Sequence, residues 1–91
     1  RAREQAPESP EIIDTAGWIL VQSGKVEQGL GMLRIAADKA PGIPTIQYHY
    51  AAALASAGDE AAAKDRLAAL LDSDARFPER EEAQRLLDSL P

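Results

Sequence analysis

Residues 24–58 read GKVEQGLGMLRIAADKAPGIPTIQYHYAAALASAG, a stretch closed at both ends by a glycine. When the chain is laid on itself at the offset that brings Gly24 onto Gly58, other matches follow. Pro7 meets Pro41, Pro10 meets Pro44 and then Pro78, Leu20 meets Leu54, and Leu33 meets Leu67. Small residues match too, Gly17 with Ala51 and Gly29 with Ala63. The offset is about 34 residues, the size of one helix–turn–helix unit in repeat proteins. The chain reads as that unit used more than once.

Each half of the unit carries its own helix signals. Ser9-Pro10-Glu11 combines a hydroxyl cap, a ring tolerated at the first helical position and an acid suited to the positive helix end. The helix it opens is expected over 10–23, closed by Gly24 in the left-handed conformation. Ile13, Ala16, Gly17 and Leu20 form one apolar stripe at helical spacing, Ile12 and Ile19 a second, with Trp18 and Val21 in a third direction. A helix apolar on so many sides expects several neighbours. A second helix is expected over 26–39, with Val26, Leu30, Leu33, Ala37 and Ala40 inward, and a third from Pro44, with Ile46, Tyr50, Leu54 and Ala57 inward. Gly58 closes the third. Asp59 caps a fourth that runs to Asp72 with Ala63, Leu67, Leu70 and Leu71 inward. After a turn to Phe77, Pro78 is expected to start a last helix, with Ala83, Leu86, Leu87 and Leu90 inward and Glu79, Arg80, Glu82, Arg85 and Asp88 facing water. One-sided amphipathicity suits the end of an array, whose outer face meets solvent. Gly31 lies mid-helix where the repeat does not call for a small residue, and Met32 reads as surface or gap filling. No alternation of the strand kind competes.

The bulk composition narrows the function. Fifteen acidic against ten basic residues leave a net charge of -5, which disfavours a nucleic-acid partner because no cationic surface is there to release phosphate counterions. No apolar run approaches the roughly 20 residues of a membrane span. The absence of cysteine removes disulfides, thiol nucleophiles and cysteine-bound zinc. No cofactor is expected. The chain begins at Arg1 without a targeting segment, and is expected to be a piece of a longer protein.

A repeat of this length, with small and apolar residues at these places, resembles the tetratricopeptide repeat (TPR) family. Counting from Pro10, the matching positions are Ile13, Ala16, Gly17, Leu20, Gly29, Leu33, Ala36 and Pro41. Counting from Pro44 they are Gln47, Tyr50, Ala51, Leu54, Ala63, Leu67, Leu70 and Ala75. Gln47 stands where a large apolar residue is usual, and Ala75 where a proline is. The resemblance implies an all-α superhelix of antiparallel helix pairs with about five helices: 1–7 ending an upstream repeat, 10–43 and 44–77 as two repeats, and 78–91 as a capping helix. It also implies that Gly17 and Gly29, and likewise Ala51 and Ala63, are the helix-crossing positions. Gly17-Trp18, Tyr48-His49-Tyr50-Ala51 and the run from Leu70-Leu71 through Phe77 to Leu86-Leu87 resemble the C-terminal part of bacterial TPR lipoproteins of PEP-CTERM and exopolysaccharide systems. That second likeness implies a periplasmic or outer-membrane-associated setting.

In the family the first helices of the units line a concave groove. Carried over, this implies groove positions for Glu11, Asp14, Thr15, Trp18, Val21 and Gln22, and in the second unit for Thr45, Tyr48, His49, Ala52 and Ser56. Trp18 has two readings, groove ring or core residue against an upstream helix. Tyr50 reads as core and Tyr48 as exposed. His49, the single histidine, reads as groove lining or solvated surface. A metal site would have to be completed by carboxylates alone, and Ser56 lies roughly two turns, or about 10 Å, from His49, too far to be its nucleophile. Asp14, Trp18 and His49 cannot form the lysine and asparagine clamp some family members use for a peptide carboxylate. A ligand of apolar or basic character suits Glu11, Asp14 and Trp18 better.

These readings make the chain a non-catalytic interaction scaffold whose partner is a protein or peptide. Two alternatives stand beside it: self-association as a homodimer through the uncovered first helix, and a rigid spacer with no ligand. An enzyme or small-molecule site would require a cavity containing His49 with an acid in hydrogen-bond reach.

Overall fold

The computed structural model describes residues 9–91. The expectation for 1–7 lies outside the described residues. The fold is all-α, with five helices: α1 Pro10–Gln22, α2 Val26–Lys39, α3 Pro44–Ser56, α4 Glu60–Asp72 and α5 Arg80–Ser89. Short turns make each helix antiparallel to the next.

The ends form as the local chemistry dictates. Ser9 Oγ accepts from the Glu11 amide at 3.1 Å and donates to Glu11 Oε1 at 2.7 Å. That hydroxyl, and then the residue's own backbone amide, holds the Glu11 carboxyl below the usual carboxylate range. Gly24 and Gly58 both adopt a φ of 91°, open to glycine at little cost. Around each, the same pair of bonds closes the helix: Lys25 N to Leu20 O at 2.8 Å with Gly24 N to Val21 O at 3.1 Å, and Asp59 N to Leu54 O at 2.9 Å with Gly58 N to Ala55 O at 3.1 Å. This is a Schellman closure used twice, at equivalent positions.

One boundary differs from expectation. Pro78 and Glu79 occupy a turn, closed by Arg80 N to Phe77 O at 3.2 Å, and α5 begins only at Arg80. Arg80 is also not a solvated side chain. Its guanidinium donates to Leu71 O at 2.7 Å and Ala75 O at 2.9 Å, so it caps the end of α4 and holds the connecting turn at Ala75.

The α1–α2 crossing brings backbones together at Gly17 and Gly29. A Cβ added at Gly29 would lie 2.5 Å from Gly17 O, 2.6 Å from Val21 Cγ2 and 2.9 Å from Val21 N. One added at Gly17 would meet Gly29 O and Leu33 Cγ at 3.0 Å and Met32 Cβ at 3.1 Å. Met32 is therefore part of the crossing. Ala51 and Ala63, the matching residues of the second unit, are both buried.

Two apolar clusters follow. Ile13, Leu33, Ala37, Ile46, Tyr50 and Leu54 are among the first, and Ala51, Leu67 and Ala83 centre the second, closed by Phe77, Leu86 and Leu87. Fully burying a side chain of the size of Leu33, Ile46 or Leu67 contributes about 1.5–3 kcal/mol. Gln47 bridges the units rather than leaving a hole: its Nε2 donates to Ala37 O at 3.2 Å, satisfying the end of α2, and its Oε1 accepts from Arg66 Nη1 at 3.2 Å. Arg66 then lies over the buried Tyr50 ring at 4.6 Å.

Gly31 is exposed, and a Cβ there would meet nothing within 4 Å. With no close approach and no positive φ, the residue has no packing role. Gly31→Ala is expected to stabilise the fold by about 0.5–1 kcal/mol, the propensity difference in a helix interior. Urea denaturation checks this, and a loss of stability would contradict it.

The lateral contacts set the curvature. Among the described residues the α1 backbone approaches that of α3, and α3 that of α5, while the backbones of α2 and α4 stand further apart. First helices pack edge to edge and second helices splay, so the layer α1, α3, α5 is the inner one.

Candidate functional site

The inner layer carries a cluster that joins α1 to α3. Asp14, on the turn of α1 between Ile13 and Gly17, is only 7% exposed, unusual for a carboxylate unless it is paired. Its partner is His49, whose Nδ1 lies 2.8 Å from Asp14 Oδ1 and 3.1 Å from Oδ2. An ionised carboxylate only accepts, so Nδ1 carries the hydrogen. Nε2 has no hydrogen-bond partner among the described residues, and it is not sealed from solvent.

The rings complete the cluster. Trp18, one turn along α1 from Asp14, stacks on His49 with centroids 4.2 Å apart and planes 17° apart. Tyr48 is tilted against both, 6.3 Å from Trp18 and 5.7 Å from His49. Trp18 and Tyr48 are half-buried, each with its inner edge on an apolar cluster. Burial first, then the Glu82 and Glu79 carboxylates of the α5 side, hold the Tyr48 phenol above the usual tyrosine value. Thr45, one turn back on α3, donates its hydroxyl to Glu79 Oε1 at 2.9 Å, tying α3 to the start of α5.

The structure thus brings together Asp14, Trp18, Tyr48 and His49 of the expected groove set, with Thr45 beside them. Trp18 packs on the apolar cluster of the described helices and stacks on His49, while its reading as core against an upstream helix lies outside the described residues. Val21 departs from the set: its Cγ2 lies against Gly29, so it belongs to the α1–α2 crossing and not to the groove. Gln22 is exposed at the end of α1, and Ala52 is half-buried. Tyr50 is core. Sequence reasoning missed the Asp14–His49 pair, as well as the parts taken by Glu79 and Glu82. A lone acid on an otherwise apolar helix face was the available signal for the first.

An acid does lie in hydrogen-bond reach of His49, which is half of what a catalytic reading requires. The other half is a reactive group or an enclosing pocket. Among the described residues no hydroxyl bonds to His49, and no group of three or more His, Asp or Glu side chains comes together to hold a metal. A shallow hollow of about 450 Å³ lies elsewhere, between Pro41, Gln47, Arg66 and Leu70. No helix among the described residues is long and apolar enough to cross a membrane. Comparison with protein-family models, with characterised proteins and with solved structures found no match.

Proposed function

We propose that this chain is a protein-interaction module of the TPR kind, a unit of a larger scaffold that receives a peptide segment of its partner along the inner layer of α1, α3 and α5. The observation that carries this reading is the Trp18–His49–Tyr48 ledge. Flat, half-exposed amphipathic rings supply contact area at small entropic cost, and such rings concentrate binding energy in interfaces. Asp14 holds the ledge rigid from behind. The 34-residue period, the paired glycine closures and the close crossing at Gly17 and Gly29 support the TPR likeness. The bacterial lipoprotein setting rests on sequence likeness alone.

The test is selection of binders from a random peptide display library, followed by titration with Trp18 fluorescence as the readout. Binders of the inner layer shift the emission of the single tryptophan. Recovered binders that leave Trp18 unmoved while perturbing other surfaces would move the interaction site away from the ledge.

One further observation favours a second, compatible reading. Ile12 and Ile19 are 61% and 58% exposed and, with Ala16, form an apolar face on α1. Faces of this sort mark association sites, and we infer self-association through α1. A strict monomer in sedimentation at high protein concentration would remove this reading.

A further inference from the structure

The inner layer is distinctive for what it lacks. Neither α1 nor α3 contains a lysine or an arginine. On the α5 side, Arg80 is engaged by the Leu71 and Ala75 carbonyls, leaving Arg85 as the other cation. The repeat register then decides which acids stand beside the rings. Thr45 and Glu79 occupy equivalent places in successive units and are bonded at 2.9 Å, so equivalent positions of α3 and α5 lie side by side. One turn further along, the same step carries Tyr48 to Glu82. Asp14, at the equivalent place on α1, is occupied by His49 and offers a ligand little. The free negative charge next to the ledge therefore comes from the α5 side.

From this geometry we propose that the ledge seats a lysine or arginine side chain of a basic peptide segment, its cation beside the Trp18 and Tyr48 rings and against Glu82, with His49 Nε2 accepting a hydrogen from the same segment. The proposal rests on the interaction reading above and names the partner's chemistry. Ring centroids 6.3 Å apart put Trp18 and Tyr48 close enough for one cation at the surface of the ledge to lie within about 6 Å of both. Glu82 and Glu79 both act on the Tyr48 phenol in the direction expected of near carboxylates, and Arg85 acts the other way, so acids outweigh the base at this ring. The net charge of -5 steers a basic segment toward the chain.

The test uses the 91-residue protein and three end-blocked peptides of equal length, identical except that repeated positions in a glycine–serine background carry arginine, leucine or glutamate. Trp18 fluorescence follows each titration. The arginine peptide is expected to bind and the glutamate peptide to give no shift. Glu82→Gln, an exposed substitution that leaves the packing intact, is expected to weaken the arginine peptide about two- to fivefold. Tyr48→Ala is expected to weaken it about five- to tenfold. Equal or tighter binding of the leucine or glutamate peptide, or an affinity unmoved by Glu82→Gln, overturns the charge assignment and leaves the groove reading standing. If none of the three peptides shifts Trp18 while display-selected binders do, the charge assignment alone falls; if those binders fail as well, both fall together.

Discussion

Gly29→Ala is expected to destabilise the fold by about 2–3 kcal/mol net, even though alanine is the better helix former by roughly 1 kcal/mol. The added methyl would sit 2.5 Å from a backbone oxygen and 2.9 Å from a backbone nitrogen, atoms that have no rotamer to escape into. Helices α1 and α2 would have to part, loosening the packing of Leu33 and Ile13 on either side. For a domain of this size the loss corresponds to a fall in Tm of roughly 10–20 °C. Gly17→Ala should be milder, since its nearest contacts lie at 3.0–3.1 Å, against 2.5 Å at Gly29, and a smaller displacement relieves them. With Gly31→Ala, the three helical glycines form a graded series that ends in a change of sign. Thermal melts of the three variants read it directly. An increase in Tm for Gly29→Ala would mean that the two helices do not cross at that point.

Loss of the His49 ring is the second large effect. His49→Ala leaves a buried carboxylate without a partner and uncovers the stacked face of Trp18, and should cost about 2–3 kcal/mol. Asp14→Ala should cost less, about 1–2 kcal/mol, because the imidazole retains its stacking and can turn to water. Combining the two changes should cost less than the sum of the separate losses, since the orphaned carboxylate is no longer present. Denaturant unfolding of the four proteins in the cycle gives the coupling. Additive losses would show that the pair contributes nothing to holding α1 against α3.

The signals legible in the sequence were those confined to one helix or one turn. Ser9-Pro10-Glu11, Asp59, Gly24 and Gly58 act on neighbouring backbone groups, and the elements they bound lie where expected. Tyr50 fell on a clean apolar stripe and is core. The Gly17–Gly29 approach came from the repeat resemblance, which sets small residues at the positions where paired helices cross, and the backbones do meet there. What could not be read depends on how one unit lies on the next. Asp14 and His49 are not equivalent positions; the pair forms on a diagonal set by the lateral packing of α1 on α3, and no local pattern specifies that angle. Val21 illustrates the same limit, since a small rotation about α1 decides whether it faces the groove or the crossing. Gln47 and Arg80 looked like departures or surface residues in the sequence, yet each satisfies carbonyls at the end of a helix, a role visible only when the neighbouring helix terminates beside it.

The ledge depends on one inter-unit contact, the stack of Trp18 on His49 beside the Asp14 carboxylate. Two-dimensional NMR of the free protein measures it: the indole protons of Trp18 should give strong cross-relaxation peaks to the His49 ring protons, and those ring protons should be shifted upfield by the indole ring current. An imidazole with no such peaks, resonating where a solvated histidine does, would contradict the ledge and the binding surface built on it.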